Sequence, residues 1–356
     1  MSTNSHLAAF TCAQGQPLRL QTRPTPSPGP GELLIAVKSV ALNPADVIMR
    51  DQGLFIQAYP TVTGFDMAGL VLKVGDTVPP CFQPGTRIAA YSASVWKGCN
   101  PDYGAFQERC LVPWQHATAL PEGLSWNHAA TLPVAVQVPL SAWEAMGVTQ
   151  VGAVTAATCE KREALLIWGA SSSVGTMGVQ TARLLREDSH TSIAAVYATA
   201  GAANSSYVSS LGADRVFDYR DPQIVDAIVS AAAQDRLTIR HCFLATGELK
   251  SCQGALGAFL GEASPVKIGS APPFPADVEA VDGIETIFLM PSMVEAQRLE
   301  QFQVWMAWLE ENLAKATIKP SPEPSVVGKG LGAVNAGLDR LQQGVSCIKL
   351  VVEIAE

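Results

Sequence analysis

The stretch of sequence that decides the fold is Glu163-Ala-Leu-Leu-Ile-Trp-Gly-Ala-Ser-Ser-Ser-Val-Gly-Thr-Met-Gly178. Its apolar beginning predicts a buried parallel strand, and residues 174–186 have the apolar spacing typical of a helix. Between the two lies a turn of small residues, among which are the glycines Gly169, Gly175 and Gly178. A turn with few side chains lets backbone N–H groups and a helix N-terminus approach a pyrophosphate. The stretch therefore predicts a dinucleotide-binding turn, although an ordinary loop can have the same composition.

Composition and charge set the broad class of protein. A length of 356 residues favours two domains, and 48% hydrophobic with 16% charged residues indicates well-packed globular cores. The net charge of −8 argues against a nucleic-acid or anionic-membrane surface. We find no run of about 18 apolar residues and no basic N-terminal segment followed by an apolar one. The expectation is a cytoplasmic protein without membrane contact.

The eight cysteines do not predict a metal site. They are spread along the chain without a C-x-x-C pair, and the nearest to a cluster are Cys99 and Cys110. A structural zinc ion needs four ligands, usually in closely spaced pairs. The five histidines show no ligand spacing either. We expect reduced thiols and no metal.

The rest of the chain separates into a β-rich part and an alternating part. Up to about residue 133, short strands bounded by Gly and Pro are expected at 7–40 (interrupted by a Pro-rich turn at 24–31), 69–74, 87–91 and 105–112. Beyond it, helices are expected at 138–146, 204–211, 222–233 and 254–260, with a loop at 147–161. Strands are expected at 192–200, 212–219, 239–244 and 264–268. This alternation predicts an open parallel sheet with right-handed crossovers. An amphipathic helix at 293–314, a helix at 332–343 and a strand at 348–354 complete the chain.

A series of short motifs accompanies this order of parts. They are Leu42-Asn-Pro-Ala-Asp46, Gly64-Phe-Asp-Met-Ala-Gly69, Gly75-Asp76, Gly85-Thr-Arg87, Gly104-Ala-Phe106, Ala129-Ala-Thr-Leu-Pro133, the turn at 169–175, Leu211-Gly-Ala-Asp-Arg-Val-Phe-Asp-Tyr219 and residues 344–352. Over nearly its whole length the chain resembles the medium-chain dehydrogenases/reductases. The resemblance implies an α/β protein in which a doubly wound Rossmann domain, residues 133–295, is inserted into a β-rich GroES-like catalytic domain, residues 1–132 and 296–356.

The motifs also select a branch of that family. Its zinc-dependent alcohol dehydrogenases carry Cys where Asn43 or Pro44 falls, and Gly-His-Glu where this chain has Gly64-Phe65-Asp66. Without a Lewis acid to polarise an alcohol or aldehyde oxygen, alcohol oxidation is not expected. The zinc-free branch reduces activated carbon–carbon double bonds. Within it the chain looks most like the trans-acting enoyl reductases of fungal polyketide pathways.

This resemblance implies an NADPH-dependent, monomeric enoyl reductase that acts on acyl thioesters held by a polyketide or polyketide–peptide synthase in secondary metabolite biosynthesis. Hydride addition at the β-carbon creates an enolate, which must be stabilised and protonated at the α-carbon. No His or Cys stands out for these steps, and Ile48 replaces a Lys that many relatives have, so no catalytic residue is assigned. Two alternatives stay open: a free-standing zinc-free quinone or enone oxidoreductase, and a cofactor-binding protein without catalytic duty.

The resemblance further implies the cofactor contacts. The backbone N–H groups expected along the pyrophosphate belong to Ser171, Ser172, Ser173 and Val174. The second strand ends without the acidic residue that binds a ribose in NAD enzymes, which favours NADPH. The residues expected around the 2′-phosphate are Thr199, Gly201, Asn204, and Tyr219 or Arg220. Tyr219 could equally be an ordinary aromatic residue at a strand end.

The remaining expected contacts lie at other loops. Phe243 and Leu244 would cover the nicotinamide, a loop with Asn43, Ala45, Asp46 and Ile48 would meet it, and Ser346 and Cys347 would close over the cofactor. Residues 43–46 could also be a simple turn, and Cys347 a buried filler. The residues expected to bind substrate are Pro133, Val134, Val136, Gln137, Leu140, Gly269, Ser270, Ala271 and Pro272. The first five could instead be the buried start of a helix.

The oligomeric state rests on one edge strand. Quinone reductases of this fold commonly dimerise through the edge of the Rossmann sheet, here expected at residues 286–290. Pro291 would end that strand, and proline cannot donate a hydrogen bond to a neighbouring strand. Together with the resemblance this favours a monomer.

Overall fold

The chain folds as two compact units. The computed structural model describes residues 5–148, 160–261, 266–274 and 280–354. One unit, here called the terminal unit, comprises Met1–Val134 and Ser292–Glu356, and the central unit comprises Ala135–Pro291. The sequence placed the corresponding boundaries after residues 132 and 295. Most of the expected loop at 147–161 and the first residues of the expected strand at 264–268 lie outside the described residues.

Strands form most of the terminal unit and the middle layer of the central unit. Among the described residues they are β1 (Ser5–Thr11), β2 (Arg19–Pro24), β3 (Glu32–Ala41), β4 (Thr61–Val62), β5 (Asp66–Val74), β6 (Arg87–Tyr91), β7 (Arg109–Pro113), β8 (Ala117–Ala119), β9 (Glu163–Trp168), β10 (Ile193–Thr199), β11 (Arg215–Phe217), β12 (Thr238–Leu244), β13 (Val266–Ser270), β14 (Ile284–Phe288), β15 (Pro324–Lys329) and β16 (Lys349–Glu353).

Helices separate the strands of the central unit and frame the sheets of the terminal unit. The α-helices of the described residues are α1 (Pro44–Gln52), α2 (Trp126–Ala130), α3 (Leu132–Met146), α4 (Ser173–Glu187), α5 (Ser205–Ser210), α6 (Ile224–Asp235), α7 (Leu249–Gly257), α8 (Glu295–Ala314) and α9 (Ala333–Gln342). None of them is long and apolar enough to cross a membrane.

The central unit contains one six-stranded sheet in the order β11-β10-β9-β12-β13-β14. Every pairing in it is parallel. The strand order reverses beside β9, the point at which doubly wound sheets open a crevice at the carboxyl ends of their strands. The side chains of β9 are almost fully buried, as its apolar sequence predicts. The expected doubly wound parallel sheet is confirmed.

The terminal unit is built on a seven-stranded sheet in the order β15-β16-β3-β5-β6-β8, with β7 also pairing to β3. A smaller sheet has the order β2-β1-β4. Strand β3 is antiparallel to both β5 and β16, and its residue Ala41 lies opposite Asp66 on one side and Val351 on the other. The ends of these three strands therefore lie side by side.

Helix α1 differs from the loop expected at residues 43–46. Asn43 is its N-cap in a capping box with Asp46: Asp46 Oδ2 accepts from the Asn43 N–H at 2.7 Å, and the Asp46 N–H donates to the Asn43 backbone carbonyl at 2.9 Å. Pro44 occupies the first helical position, where its missing N–H is not needed. The sequence therefore held a helix-start signal that the interpretation as a turn overlooked.

Other element boundaries were also predicted wrongly. Helix α3 begins at Leu132 instead of 138, and α7 covers Leu249–Gly257 instead of 254–260. The strand expected before the Pro-rich turn at 24–31 is two strands, β1 and β2, and β15 was not predicted. Both β2 and β15 lie at sheet edges and show no regular alternation of buried residues. Strand β14 ends at Phe288, so Pro291 lies beyond it and does not interrupt the sheet edge. The argument for a monomer from Pro291 therefore fails.

Close packing of β3 against β5 requires a glycine at position 69. A Cβ atom placed on Gly69 would overlap the backbone carbonyl of Ala36 on the paired strand. That carbonyl cannot move away without breaking the register of the two strands. The glycine of the Gly64–Gly69 motif is thus a packing requirement of the sheet.

We expect Gly69→Ala to lower the free energy of unfolding by about 2–3 kcal/mol, since overpacking against backbone cannot be relieved by a rotamer change. Urea denaturation followed by circular dichroism measures the loss. Gly257→Ala is the matched control, because a Cβ there meets no atom within 4 Å. Equal stability of the two variants would contradict the packing requirement.

Candidate active site and cofactor-binding turn

The turn between β9 and α4 presents free backbone N–H groups. Ser172 is the N-cap of α4: its Oγ accepts from the Gly175 N–H at 3.1 Å and donates to the Gly169 carbonyl at 2.8 Å. The Ser172 N–H itself donates to the same carbonyl at 3.0 Å. Among the described residues, the N–H groups of Ser171, Ser173 and Val174 find no protein acceptor. Three of the four expected groups are thus available to an anion, and Ser172 builds the turn instead.

Small residues are required on all sides of this turn. Gly169 has φ +77°, and a Cβ on it would lie 2.5 Å from the Thr246 carbonyl oxygen. A Cβ on Gly175 would overlap the Gly169 carbonyl, and one on Gly178 would lie 2.9 Å from the Phe243 ring. These are the requirements of a tight turn with close helix–strand packing, so the residues present fit a dinucleotide pyrophosphate.

At the carboxyl end of β10, one residue expected near the 2′-phosphate instead supports the turn after β9, and another is exposed to solvent. Thr199 is fully buried, and its Oγ1 accepts from the Gly169 N–H at 2.9 Å. Its side chain therefore supports the turn rather than facing the expected 2′-phosphate. Tyr219 is 46% exposed, and Asn204 lies at the start of α5.

Arg220 supplies a cation that the sequence after β10 lacks. Its guanidinium carbon lies 5.0 Å from the centre of the Tyr219 ring, a cation–π contact. A Cβ placed on Gly201 would lie 3.0 Å from Arg220 Nη1, so the guanidinium lies over the backbone of Gly201. Folding thus places a positive charge from the loop after β11 beside the end of β10. The sequence interpretation named Arg220 only as an alternative to Tyr219.

A cavity of about 720 Å³ lies at the carboxyl ends of β12 and β13. Three expected contacts line it, Leu244, Ser270 and Pro272, together with Leu249, Phe274 and the charged Glu248 and Lys250. Ser270 is buried, and its hydroxyl donates to the Pro272 carbonyl at 2.8 Å.

Two other expected residues of this edge have buried positions. Phe243 is fully buried, with its ring 5.6 Å from that of Trp143, so its side chain is a core residue. Gly269 is buried against Ala142, Met146 and Leu289, and the Ala271 N–H donates to the Leu244 carbonyl at 2.9 Å. These residues pack or hydrogen-bond within the protein at the strand ends, and none of them presents an unused polar side chain to a substrate.

In the terminal unit, Asn43 belongs to a buried polar cluster. The Asn43 Nδ2 donates to Asp66 Oδ2 at 2.9 Å, and Lys349 Nζ lies 2.6 Å from Asn43 Oδ1 and 3.3 Å from Asp66 Oδ2. The second oxygen of Asp66 accepts from the Val134 N–H at 2.8 Å, and the Asn43 N–H donates to Asp46 Oδ2 at 2.7 Å. The cluster brings together Asn43 and Asp66, which belong to the two motifs where zinc-dependent alcohol dehydrogenases carry metal ligands.

Burial dominates the electrostatics of this cluster. It raises the pKa of Asp46 to about 7, and the neighbouring Asp66 carboxylate acts in the same direction. It also raises the pKa of Asp66, although Lys349 and Asn43 oppose the shift. Asp46 Oδ1 is buried without a hydrogen-bond partner among the described residues. Across that part of the chain, no three His, Cys, Asp or Glu side chains gather to hold a metal ion.

The other expected residues of the terminal unit are more accessible. Ala45 and Ile48 are half-buried on α1, on a different side from the inward-facing Asn43 and Asp46. Ser346 is exposed, whereas Cys347 is half-buried with φ +53°. Burial raises the pKa of the Cys347 thiol, so the thiol is neutral near pH 7.

Residues on α3 were expected to line the acyl pocket. Pro133, Val136 and Leu140 are buried, and Val134 is half-buried. Gln137 is only 2% exposed, and its Nε2 has no hydrogen-bond partner among the described residues. A buried amide N–H without an acceptor lowers protein stability unless a bound ligand accepts its hydrogen bond.

Comparison with known proteins places the chain in a family. Residues 29–122 match the family model of the alcohol dehydrogenase GroES-like domain. The trans-enoyl reductase tndF of Aspergillus flavipes is 39% identical over 353 residues, covering 98% of this chain and 99% of that protein. The dehydrogenase orsE of Emericella nidulans is 32% identical over 367 residues, covering 99% of this chain and 100% of that one.

Solved structures share the fold over the same length. The CurK enoyl reductase superposes with a TM-score of 0.75 at 17% identity, covering 99% of this chain and 100% of that chain. An alcohol dehydrogenase superfamily protein from Novosphingobium aromaticivorans gives a TM-score of 0.76 at 20% identity, covering 98% and 100%. The fold is one that binds a nicotinamide cofactor. The chain belongs to the medium-chain dehydrogenase/reductase family of oxidoreductases and is similar to fungal trans-enoyl reductases.

Proposed function

We propose that the protein is an NADPH-dependent trans-acting enoyl reductase. It reduces α,β-unsaturated acyl thioesters carried by a polyketide or polyketide–peptide hybrid synthase during secondary metabolite biosynthesis. Two relatives named trans-enoyl reductases, at 39% and 38% identity, support this substrate class.

The observation that carries the proposal is the chemistry of the buried cluster. Asn43 and Asp66 bond each other, and the Lys349 ammonium lies within 2.6 Å and 3.3 Å of their oxygens. An amide, a single carboxylate and an ammonium group are a poor donor set for zinc, which prefers thiolate and imidazole ligands. This donor set supports reduction of a carbon–carbon double bond over metal-assisted alcohol oxidation.

The preference for NADPH rests on Arg220. Its guanidinium lies over Gly201, beside the end of β10, where no acidic side chain competes for a ribose hydroxyl. Arginine binds phosphate by charge-assisted hydrogen bonds, and stacking on Tyr219 limits its motion. A 2′-phosphate gains this contact, and a 2′-hydroxyl does not.

Gln137 is the polar group proposed to act on the substrate. Bound NADPH supplies a hydride, and negative charge then develops on the thioester carbonyl oxygen. The unpartnered Nε2 of Gln137 donates a hydrogen bond to that oxygen, and the buried setting makes the bond strong. The turn after β9 holds the pyrophosphate against the free N–H groups of Ser171, Ser173 and Val174.

The direct test is reduction of an α-methyl-enoyl pantetheine thioester by the purified protein, followed by the loss of NADPH absorbance. We expect turnover with NADPH and much slower turnover with NADH. A small quinone is the comparison substrate, and turnover of the quinone alone would replace this proposal with a free-standing quinone or enone reductase. Tight NADPH binding without turnover of either, even with the acyl chain on a carrier domain, would indicate a non-catalytic protein.

Replacing Arg220 tests the cofactor preference. We expect Arg220→Ala to raise the KM for NADPH at least about tenfold, because a charge-assisted contact to the 2′-phosphate is lost. The KM for NADH should not change. Arg215→Ala is the matched control: it breaks the Arg215–Asp235 pair, which joins β11 to α6. An equal effect of Arg220→Ala on both cofactors would refute the assignment.

Replacing Gln137 tests the oxyanion contact. We expect Gln137→Leu to lower kcat about 100-fold, with little effect on the dissociation constant of NADPH. Stopped-flow hydride transfer and fluorescence titration measure the two quantities. Gln180→Leu serves as the control, since Gln180 is a buried helical glutamine of the central unit with partners inside the protein. Unchanged kcat in Gln137→Leu would exclude this role.

A further inference from the structure

Lys349 is a buried cation at the beginning of β16. Its side chain is 4% exposed, and its Nζ contacts Asn43 Oδ1 at 2.6 Å and Asp66 Oδ2 at 3.3 Å. Asp66 is fully buried, and Asn43 Nδ2 donates to it at 2.9 Å. Lys349 and Asp66 are the first residues of β16 and β5, and Asn43 follows β3, the strand between them in the sheet. The three side chains form a closed triangle of polar contacts.

Each partner of Lys349 holds the start of a helix. Asn43 is the N-cap of α1, and its backbone N–H is tied to Asp46 at N3. The Oδ1 of Asp66 accepts from the Val134 N–H at 2.8 Å, in the first turn of α3. One ammonium group therefore connects the N-termini of two helices that are far apart in sequence.

These two helix starts carry the contacts that matter for the proposed reaction. Helix α1 bears Ala45 and Ile48, which are expected near the nicotinamide, and α3 bears Val134 and Gln137, which are expected near the acyl group. Removing the Lys349 ammonium leaves the buried Asp66 carboxylate without its charged partner, which is strongly destabilising. Displacement of a reacting group by about 1 Å costs up to about 100-fold in rate.

We propose that Lys349 is a positioning residue: through Asn43 and Asp66 it fixes the N-termini of α1 and α3 in the arrangement that the reaction needs. This inference rests on the proposed function. Lys349 thus influences where the substrate-binding residues lie, although it does not itself contact the substrate.

Hydrogen exchange of the free protein tests the structural half of the proposal without any substrate. We expect Lys349→Met to accelerate amide exchange at Val134 and in the first turn of α1 at least about tenfold. Arg50→Met is the matched control, because Arg50 is also a buried cation of the terminal unit, paired to Asp51 and Asp339. It should accelerate exchange at the end of α1 and in α9, and leave Val134 unchanged.

Kinetics test the functional half. Lys349→Met should lower kcat/KM for the enoyl thioester about 10- to 100-fold, mostly through KM of the acyl substrate, and Arg50→Met should stay close to wild type. Unchanged exchange at Val134 and α1 in a folded Lys349→Met protein would overturn the proposal. So would identical exchange and kinetic changes in Arg50→Met. If the wild-type protein reduces no thioester, the proposed function fails, and the exchange result still decides the structural half.

A double variant covers the case in which Lys349→Met does not fold. Asp66→Asn with Lys349→Met removes both charges of the ion pair, and the amide oxygen introduced at position 66 can still accept from the Val134 N–H. We expect faster exchange at the start of α1, where Asn43 has lost the ammonium, and near-normal exchange at Val134. Fully normal exchange and kinetics in the double variant would show that Lys349 positions nothing.

Discussion

The buried contact between the Lys349 ammonium and the Asp66 carboxylate constrains the terminal unit more than any other interaction described. Two unit charges 3.3 Å apart and almost without water are stable only as a pair, and only if their remaining bonding positions are filled. Asn43 and the Val134 N–H fill them. Asn43 caps α1 and Val134 lies in the first turn of α3, so this ion pair is bonded to the starts of both helices.

The central unit depends on the opposite condition, the absence of side chains. Gly169, Gly175 and Gly178 each occupy a position at which a Cβ would collide with neighbouring backbone or with the Phe243 ring. The resulting turn leaves N–H groups of Ser171, Ser173 and Val174 without protein acceptors among the described residues. These N–H groups are available to an anion, and Arg220 places a positive charge at the end of β10. One unit thus stabilises buried charge within the protein, and the other leaves polar groups for a ligand.

Apolar periodicity and glycine turns, which are local signals, predicted the strand–turn–helix that begins at residue 163 and the parallel sheet. The resemblance to a known family implied the insertion of one part of the chain into the other. The sequence also contained the capping box of Asn43 and Asp46, which was interpreted as a turn. The division of the first expected strand into β1 and β2, and the presence of β15, were not predicted because exposed edge strands show no strong alternation. Arg220 was only an alternative, since nothing local indicates that the loop after β11 lies over Gly201.

By itself the sequence determined the family and the fold class, through motifs whose residues lie close together in the chain, and it predicted a turn suited to a pyrophosphate. Only the tertiary structure decided which polar side chains form hydrogen bonds within the protein and which remain available to a ligand. Thr199 turned out to support the turn, Lys349 to pair with residues about 300 positions away, and Gln137 to keep a buried donor. The physical reason is that hydrogen-bond satisfaction in a protein interior depends on partners distant in sequence, which no local pattern encodes.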